Sequence, residues 1–311
     1  MKHRRTLIPR FPRFPRFPRI PRLLTVVSGF LLGTFGLSSC SVPGSGSSSG
    51  EIIADLALSQ STFLVVDIAS GQITGYAALS DLTSNSAYRS TKLVFRLIPT
   101  GNVTLGAATD TLGAGVDASA SSASVGRFYC AVFEVTQAQW QLIAGTTPWI
   151  TASVLPPGAA GTLTTDSDKP AYSLSKDSVA AAVQAHNSGK PYRLAIPTNR
   201  HWERACRADA ATPFSWGSDA NSRTAALPYA VVAETAGTAL GPSAVAQTQP
   251  NAFDLYDTHG NVWEITHTGL TSHLRGGSWF DPLSQARCSN LVSIDRGTAH
   301  VLAGVRFVLV P

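Results

Sequence analysis

Hydrophobic positions change their spacing several times along this chain. Residues 23–37 form one uncharged, mainly apolar tract of fifteen residues. From Thr62 the pattern breaks into short runs, Phe63-Leu64-Val65-Val66-Asp67-Ile68 and then residues 73–79, separated by a Ser70-Gly71 turn; this predicts a strand hairpin. Residues 92–98 give another strand-like run closed by Pro99-Thr100-Gly101, and Val103-Thr104-Leu105-Gly106 follows. Residues 107–126 are rich in Gly, Ala and Ser and predict a surface loop.

Three helices announce themselves by their caps. Thr136 and Gln139 have capping-box spacing, Trp140 and Ile143 share an apolar face, and Gly145 ends the helix. Ser175 heads a second helix reaching about Asn187, with Val179 and Val183 one turn apart and Gly189 and Pro191 beyond it. Thr198 heads a third, on which Trp202, Ala205 and Cys206 face one side. After Gly217 turn-forming residues dominate, which predicts a region held by loop packing, with an ion as one way to tie it together.

The formal charge of +5 changes meaning once it is located. Residues 1–39 carry 8 of the 24 basic residues and no acid, so the remainder holds 16 basic against 19 acidic residues. A mildly acidic body removes the main support for a nucleic-acid partner. The basic lead-in repeats Pro-Arg-Phe from Pro9 to Arg22, which prevents a helix. The apolar tract after it has signal-peptide length, shorter than the roughly 20 residues of a bilayer span. It ends in Leu37-Ser38-Ser39-Cys40, which resembles the lipobox of bacterial lipoproteins. That resemblance implies lipidation at Cys40, a membrane-anchored exported protein of the outer membrane or cell surface, and a Ser/Gly-rich tether. Cys130, Cys206 and Cys288 remain, with no C-x-x-C spacing and no pairing that sequence alone can choose. The organisation read from the chain is a signal peptide at 1–39, lipidated Cys and tether at 40–61, a hairpin extension at 62–90 and a main domain at 91–311.

Seven ordered blocks in that domain carry a resemblance. They are Ile98-Pro99-Thr100-Gly101 with Leu105-Gly106; Glu134-Val135-Thr136-Gln137-Ala138-Gln139-Trp140; Tyr192-Arg193-Leu194-Ala195-Ile196-Pro197-Thr198 with Trp202-Glu203 and Ala205-Cys206-Arg207; and Phe214-Ser215-Trp216-Gly217. Then come Asn251-Ala252-Phe253-Asp254-Leu255-Tyr256-Asp257-Thr258-His259-Gly260-Asn261-Val262-Trp263-Glu264, Arg275-Gly276-Gly277-Ser278-Trp279 and Gly304-Val305-Arg306-Phe307. Together they resemble the formylglycine-generating enzyme, or sulfatase-modifying factor, family. The resemblance implies an α+β, C-type-lectin-like fold with little regular structure. It departs at Ala195-Ile196 and at His201.

The family's chemistry uses two cysteines that bind copper and activate oxygen. Counted from Trp279, their positions hold Asp281 and Ala286, neither of which supplies the soft thiolate that Cu(I) requires. Copper is therefore not expected. Cys288 is two places late, a shift of about 6.6 Å along a strand, and with Cys206 it is the thiol pair left to compensate, against the usual structural role of a buried Cys. A calcium site is implied by Asp257, the carbonyls of Gly260 and Val262, and Glu264, since hard oxygen donors around a tight Gly turn suit that ion. The alternative reading has Asp257 capping a turn and Glu264 pairing with an Arg. Asn221 matches one ligand of a second family calcium site whose other acid is not evident.

His259, His267 and His273 lack zinc-motif spacing, and Ser278 lacks a nucleophile elbow. Trp140, Trp202, Trp216 and Trp263 read as core, and Arg275, Arg287 and Arg306 suit carboxylates, mostly structural ones. Trp279, Phe280, Asp281 and Arg287 are the candidate ligand-binding residues, on a face spanning residues 275–306. The function expected is thus a calcium-stabilised module binding a peptide, protein or glycan. The rivals are an oxidoreductase of the same family using a non-heme metal, and a structural surface-layer component.

Overall fold

The computed structural model describes residues 60–107, 119–151, 166–217, 222–236 and 241–309. The leader, Cys40, the tether and Asn221 lie outside these residues. Among the described residues no helix is long and apolar enough to cross a membrane.

Strands β1 (Phe63–Asp67), β2 (Ile73–Tyr76), β3 (Lys92–Ile98), β4 (Gly101–Leu105), β5 (Ser121–Val125) and β6 (Phe128–Ala131) occupy the first half. Helices α1 (Gln137–Ala144), α2 (Pro148–Thr151), α3 (Lys176–His186), α4 (Asn199–Arg207) and α5 (Arg223–Ala226) follow. The chain returns to strands in β7 (Trp263–Thr268), β8 (Thr271–Arg275), β9 (Val292–Ile294), β10 (Ala303–Gly304) and β11 (Val308–Leu309).

Three sheets result. The largest has the order β11-β6-β3-β1-β2, the second β10-β7-β8-β9, and the third is the β4-β5 pair. β1 pairs antiparallel with both β2 and β3. The predicted hairpin therefore forms, but it is not an extension: β1 is an interior strand of the main sheet, and Leu64 and Val66 enter the same core as Phe95, Trp140 and Phe307. Its unbroken buried run, residues 63–66, is what covering both faces of a sheet demands. The predicted loop at 107–126 is likewise corrected at its end, where residues 121–125 pair with β4.

The capped helices form where the sequence places them. Thr136 accepts from the Gln139 N–H at 3.2 Å while the Gln139 side chain accepts from the Thr136 N–H at 3.0 Å, and Gly145 closes α1 in the left-handed region. Ser175 caps α3 through a reciprocal box with Ser178, and Thr198 caps α4 by accepting from the His201 N–H. α4 is unusual because six of its nine residues are buried, Glu203, Arg204 and Arg207 among them. Charged side chains at such depth need fixed partners, and these partners organise the site.

Candidate functional site

The region that the motifs single out is built from α4, the 254–264 loop, β7, and the segment from β8 to Asn290. Two buried ion networks hold it. Glu203 accepts from Arg207 Nη2 at 2.7 Å and from the Gly106 N–H at 2.7 Å, so α4 is tied to the end of β4. Arg275 Nη1 lies 3.1 Å from the other Glu203 oxygen, a charge contact, and donates to the Cys288 carbonyl at 2.9 Å.

The second network centres on Arg306. Its guanidinium meets both Glu264 oxygens, at 2.7 to 3.1 Å, and donates to the carbonyls of Ala131, Val132 and Tyr256. Glu264 also accepts from Trp202 Nε1 at 2.6 Å. Glu264 and Arg306 are 2% and 1% exposed at the side chain, so a bidentate pair with every polar atom engaged is what makes the burial tolerable.

The loop between these networks is a chain of tight turns. Asp254, Asp257 and Asn261 have positive φ, as does Gly260 at 86°. A Cβ on Gly260 would stand 2.1 Å from the Val231 carbonyl oxygen, so only Gly fits. Glu134 pins the loop by accepting from Asn261 Nδ2 at 2.6 Å and from the Val262 N–H at 3.1 Å. Burial, then the charges of Asp257 and Glu264, push the Glu134 carboxyl well above its ordinary value. Sequence reasoning gave Glu134 no role in the site, although one acid within the apolar run 128–135 was a visible signal.

The predicted calcium residues are thus brought together in one loop, and the alternative partners are present as well. Asp257 accepts from the Ala246 N–H at 2.6 Å and from Thr248 Oγ1 at 2.8 Å, and Glu264 pairs with Arg306. Burial pushes the Asp257 carboxyl up. Three fully buried acids, Glu134, Asp257 and Glu264, share the neighbourhood with one guanidinium. Each of the three already accepts from protein donors: Asp257 from Ala246 and Thr248, Glu264 from Arg306 and Trp202, and Glu134 from Asn261 and Val262.

Asp281 and Ala286, the positions that the resemblance assigns to the family's copper cysteines, are packed into the fold. Asp281 is half-buried and accepts from Trp263 Nε1 at 2.7 Å and from the Ser278 hydroxyl; burial pushes its carboxyl up. Ala286 is fully buried, in contact range of Gly277 and within the cluster of Phe214, Val232 and Leu283. One engaged carboxylate and one methyl offer no soft donor.

Of the four candidate ligand-binding residues, two are corrected. Trp279 is 5% exposed and packs edge-on to Phe280, while Arg287 is completely buried with its guanidinium donating to the Ser284 carbonyl. Neither reaches the surface. Phe280 and Asp281 stay half-buried at the rim, and the openly exposed part of this face is residues 295–299.

A third cluster was left open by the sequence. Cys206 on α4, His259 and Cys288 bring their donor atoms within 4.8 Å of one another, all three buried. His259 Nδ1 donates to the Ala286 carbonyl at 2.7 Å, so its Nε2 is the acceptor facing Ser215 and, at 3.8 Å, Cys206 Sγ. Trp216 meets the imidazole edge-on at 4.6 Å. His267 and His273 lie elsewhere, on β7 and β8.

Comparison with known proteins agrees with this frame. Residues 82–310 match the model of the sulfatase-modifying factor enzyme 1-like domain. The formylglycine-generating enzyme of Mycobacterium tuberculosis is 33% identical over 102 residues, which is 30% of this chain and 32% of that protein, so the chain spans about a third of that relative's length. PvdO from Pseudomonas aeruginosa superposes with a TM-score of 0.60 at 19% identity, over 70% of this chain and 94% of that one. Treponema denticola variable protein 1 gives 0.58 at 19% identity, over 71% and 96%. With seven motif blocks, the buried Glu264–Arg306 knot and a match over more than half its length, the chain belongs to the sulfatase-modifying factor family and has its α+β, formylglycine-generating-enzyme-like fold.

Proposed function

We propose that this chain is an exported protein, anchored through lipidated Cys40, that uses the family frame as a calcium-stabilised module for binding a peptide, protein or glycan and does not generate formylglycine. The observation that carries the reading is the donor set at Asp281 and Ala286: a carboxylate accepting from Trp263 and Ser278, and a buried methyl. Cu(I) has no ligand there, while the rest of the frame is kept. Calcium would be held by Asp257, Glu264 and the carbonyls of Gly260 and Val262, with the buried Glu134 bracing the loop through Asn261 and Val262. The ion would crosslink a loop that has few ladder hydrogen bonds of its own.

The surface offered to a ligand is the rim of Phe280 and Asp281 with the exposed 295–299 turn. Arg296 there is half-exposed and bound to Asp177 at 2.6 Å, and its carbonyl accepts from the Asp177 N–H at 3.0 Å, so the turn is held against α3. Fixed framing of an exposed turn is a suitable base for recognition.

The full chain, extracted from membranes in detergent, tests this on three counts. In air it leaves a cysteine-bearing sulfatase peptide unconverted, metal analysis finds calcium and neither copper nor iron, and on peptide and glycan arrays wild type gives a signal that Phe280→Ala with Arg296→Ala loses. Conversion of the peptide to its aldehyde, or stoichiometric copper or iron with oxygen uptake, would replace this reading by the oxidoreductase one. An unchanged array signal from the folded variant would place binding elsewhere.

A further inference from the structure

An open cavity of about 500 Å³ lies on one face of the main sheet, and none of its lining residues belongs to the calcium loop or the rim. Its base follows from strand alternation. Phe63 pairs with Tyr76, and Asp67 with Lys92, so Val65, Tyr76 and Lys92 project from the same face of β1, β2 and β3. Leu79 and Tyr88 pack in one cluster with Val65, and the chain between them supplies the opposite wall through Asp81 and Asn85. Strands β1 and β2 precede residue 82, where the family match begins. The cavity is therefore made where the hairpin meets the family domain.

Its walls are held in place by the fold. Asn85 Nδ2 donates to Asp81 Oδ2 at 2.9 Å, and Asn85 Oδ1 accepts from the Ala87 N–H at 3.1 Å at the start of a 3₁₀ turn, Ser86–Arg89. Gln139 on α1 donates to the carbonyls of Tyr88 at 3.0 Å and Lys92 at 2.7 Å, which ties both sides of the cavity together. Such preorganisation reduces the ordering that binding would otherwise require. Three groups are left for a ligand. Among the described residues the half-buried Lys92 ammonium makes no hydrogen bond or ion pair, while Asp67 beside it is engaged by the Ser70 N–H and hydroxyl. Asp81 Oδ1 meets only the Tyr88 hydroxyl, at 3.4 Å, and keeps acceptor capacity. Tyr76 is 38% exposed at the mouth.

These groups select a neutral, polyhydroxylated ligand. One carboxylate and one ammonium line the cavity, so Asp81 repels a polyanion and Lys92 repels a polyamine. A sugar hydroxyl both donates and accepts, so one ring can donate to Asp81 and accept from Lys92 while its C–H face lies on the Tyr76 ring. Tyrosine offers such a face, apolar with a polar tip, at low entropic cost. A free amino acid would pair its charges with the same two groups but leave the Tyr76 ring and most of the volume unused. The volume is that of a small-molecule site, and the exposed Ala78 and Ser80 at its edge leave room for a longer chain to pass. We propose that this cavity binds one or two rings of a neutral glycan, with Tyr76 as the stacking platform, Asp81 as acceptor and Lys92 as donor. The site is separate from the rim of Phe280 and Asp281, and neither assignment depends on the other.

The test is saturation-transfer NMR on the full chain in a detergent without a sugar headgroup. Maltose, cellobiose, lactose and diacetylchitobiose serve as probes at about 10 mM, which fills a site of millimolar Kd. The expected result is saturation of the ring C–H protons of at least one of them, with a Kd then read by calorimetric titration. Tyr76→Ala should weaken that binding about tenfold by removing the stacked face, and Lys92→Met about fivefold by removing the donor. Tyr76 lies on the edge strand β2, so its variant should melt as wild type does; Lys92→Met keeps the proposal testable should it not. Absence of binding by all four disaccharides overturns the proposal, as does an affinity that neither variant changes. Loss of binding in Phe280→Ala with Arg296→Ala, but not in Tyr76→Ala, would move the sugar to the rim and overturn it as well. So would saturation of glycine in place of the sugars.

Discussion

Arg306 offers the sharpest quantitative test of how this loop-rich frame is held. Arg306→Met keeps a long apolar stem but deletes the guanidinium that meets both Glu264 oxygens and the carbonyls of Ala131, Val132 and Tyr256. Glu264, 2% exposed at its side chain, would retain only Trp202 Nε1 as a donor. Breaking a buried pair from one side costs about 3–5 kcal/mol, because the surviving charge is left in a low-dielectric setting. At about 2–4 °C per kcal/mol for a domain of this size, the thermal midpoint should fall by about 6–20 °C. Far-UV circular dichroism during heating and urea titration reads this directly, with chelator present so that no bound divalent ion contributes. Glu264→Gln combined with Arg306→Met should lose less than the sum of the single changes, since the stranded charge is gone. A loss under about 1 kcal/mol for Arg306→Met, the size of a surface pair, would refute the idea that this knot carries the frame.

Two further outcomes follow from the same loop. Gly260→Ala places a Cβ 2.1 Å from the Val231 carbonyl oxygen at a φ of 86°; strain of this kind, on the order of 1–3 kcal/mol before any clash, should leave little soluble protein, and wild-type yield with an unchanged melting curve would contradict the close approach. Burial and the nearby Asp257 and Glu264 hold the folded Glu134 carboxyl above its ordinary 4.5, so the folded chain binds that proton more tightly than the unfolded one. Its stabilisation is full below 4.5 and lost as pH rises through the folded value. In chelator, wild type should therefore lose stability over that rise relative to Glu134→Gln, and calcium should restore it; parallel pH profiles for the two proteins would count against a buried charge excess.

Local signals were legible and non-local ones were not. The boxes at Thr136 and Ser175 and the cap at Thr198 could be read because a side chain three residues from a backbone N–H decides them. β5 was read as loop because Ser121-Ser122-Ala123-Ser124 carries no apolar alternation; it is a strand only because β4 lies beside it. β1 was set apart as an extension although its four consecutive buried residues already had the signature of an interior strand. Arg306 and Glu264 stood in the motifs, but their bond joins residues 42 apart, and the Cys206–His259 contact joins residues 53 apart. Sequence spacing says nothing about such pairs until the fold closes them. The exposure of the rim is hidden for the same reason: Trp279 and Arg287 both lie in the motif-bearing segment, and only the closed fold buries them.

Asp281 and Ala286, the positions that the resemblance assigns to copper, are both engaged in packing. Asp281 ties Trp263 on β7 to the turn at Ser278, and Ala286 fits against Gly277, where a Cβ would come within 3.1 Å of the Ala286 backbone. Ala286 is fully buried among Phe214, Val232 and Leu283, so a larger side chain there would press on those neighbours, and a thiol at 281 would forfeit the hydrogen bond that holds the Trp263 indole. Placing a thiol pair here would thus disturb both the packing around residue 286 and the support of the β7 tryptophan. The buried acids around Arg306 hold their own hydrogen bonds, whereas the thiol cluster adjoins residue 286 through the His259 contact with the Ala286 carbonyl. Under the proposed binding role, the Glu264–Arg306 knot would support the frame independently of any metal at residues 281 and 286.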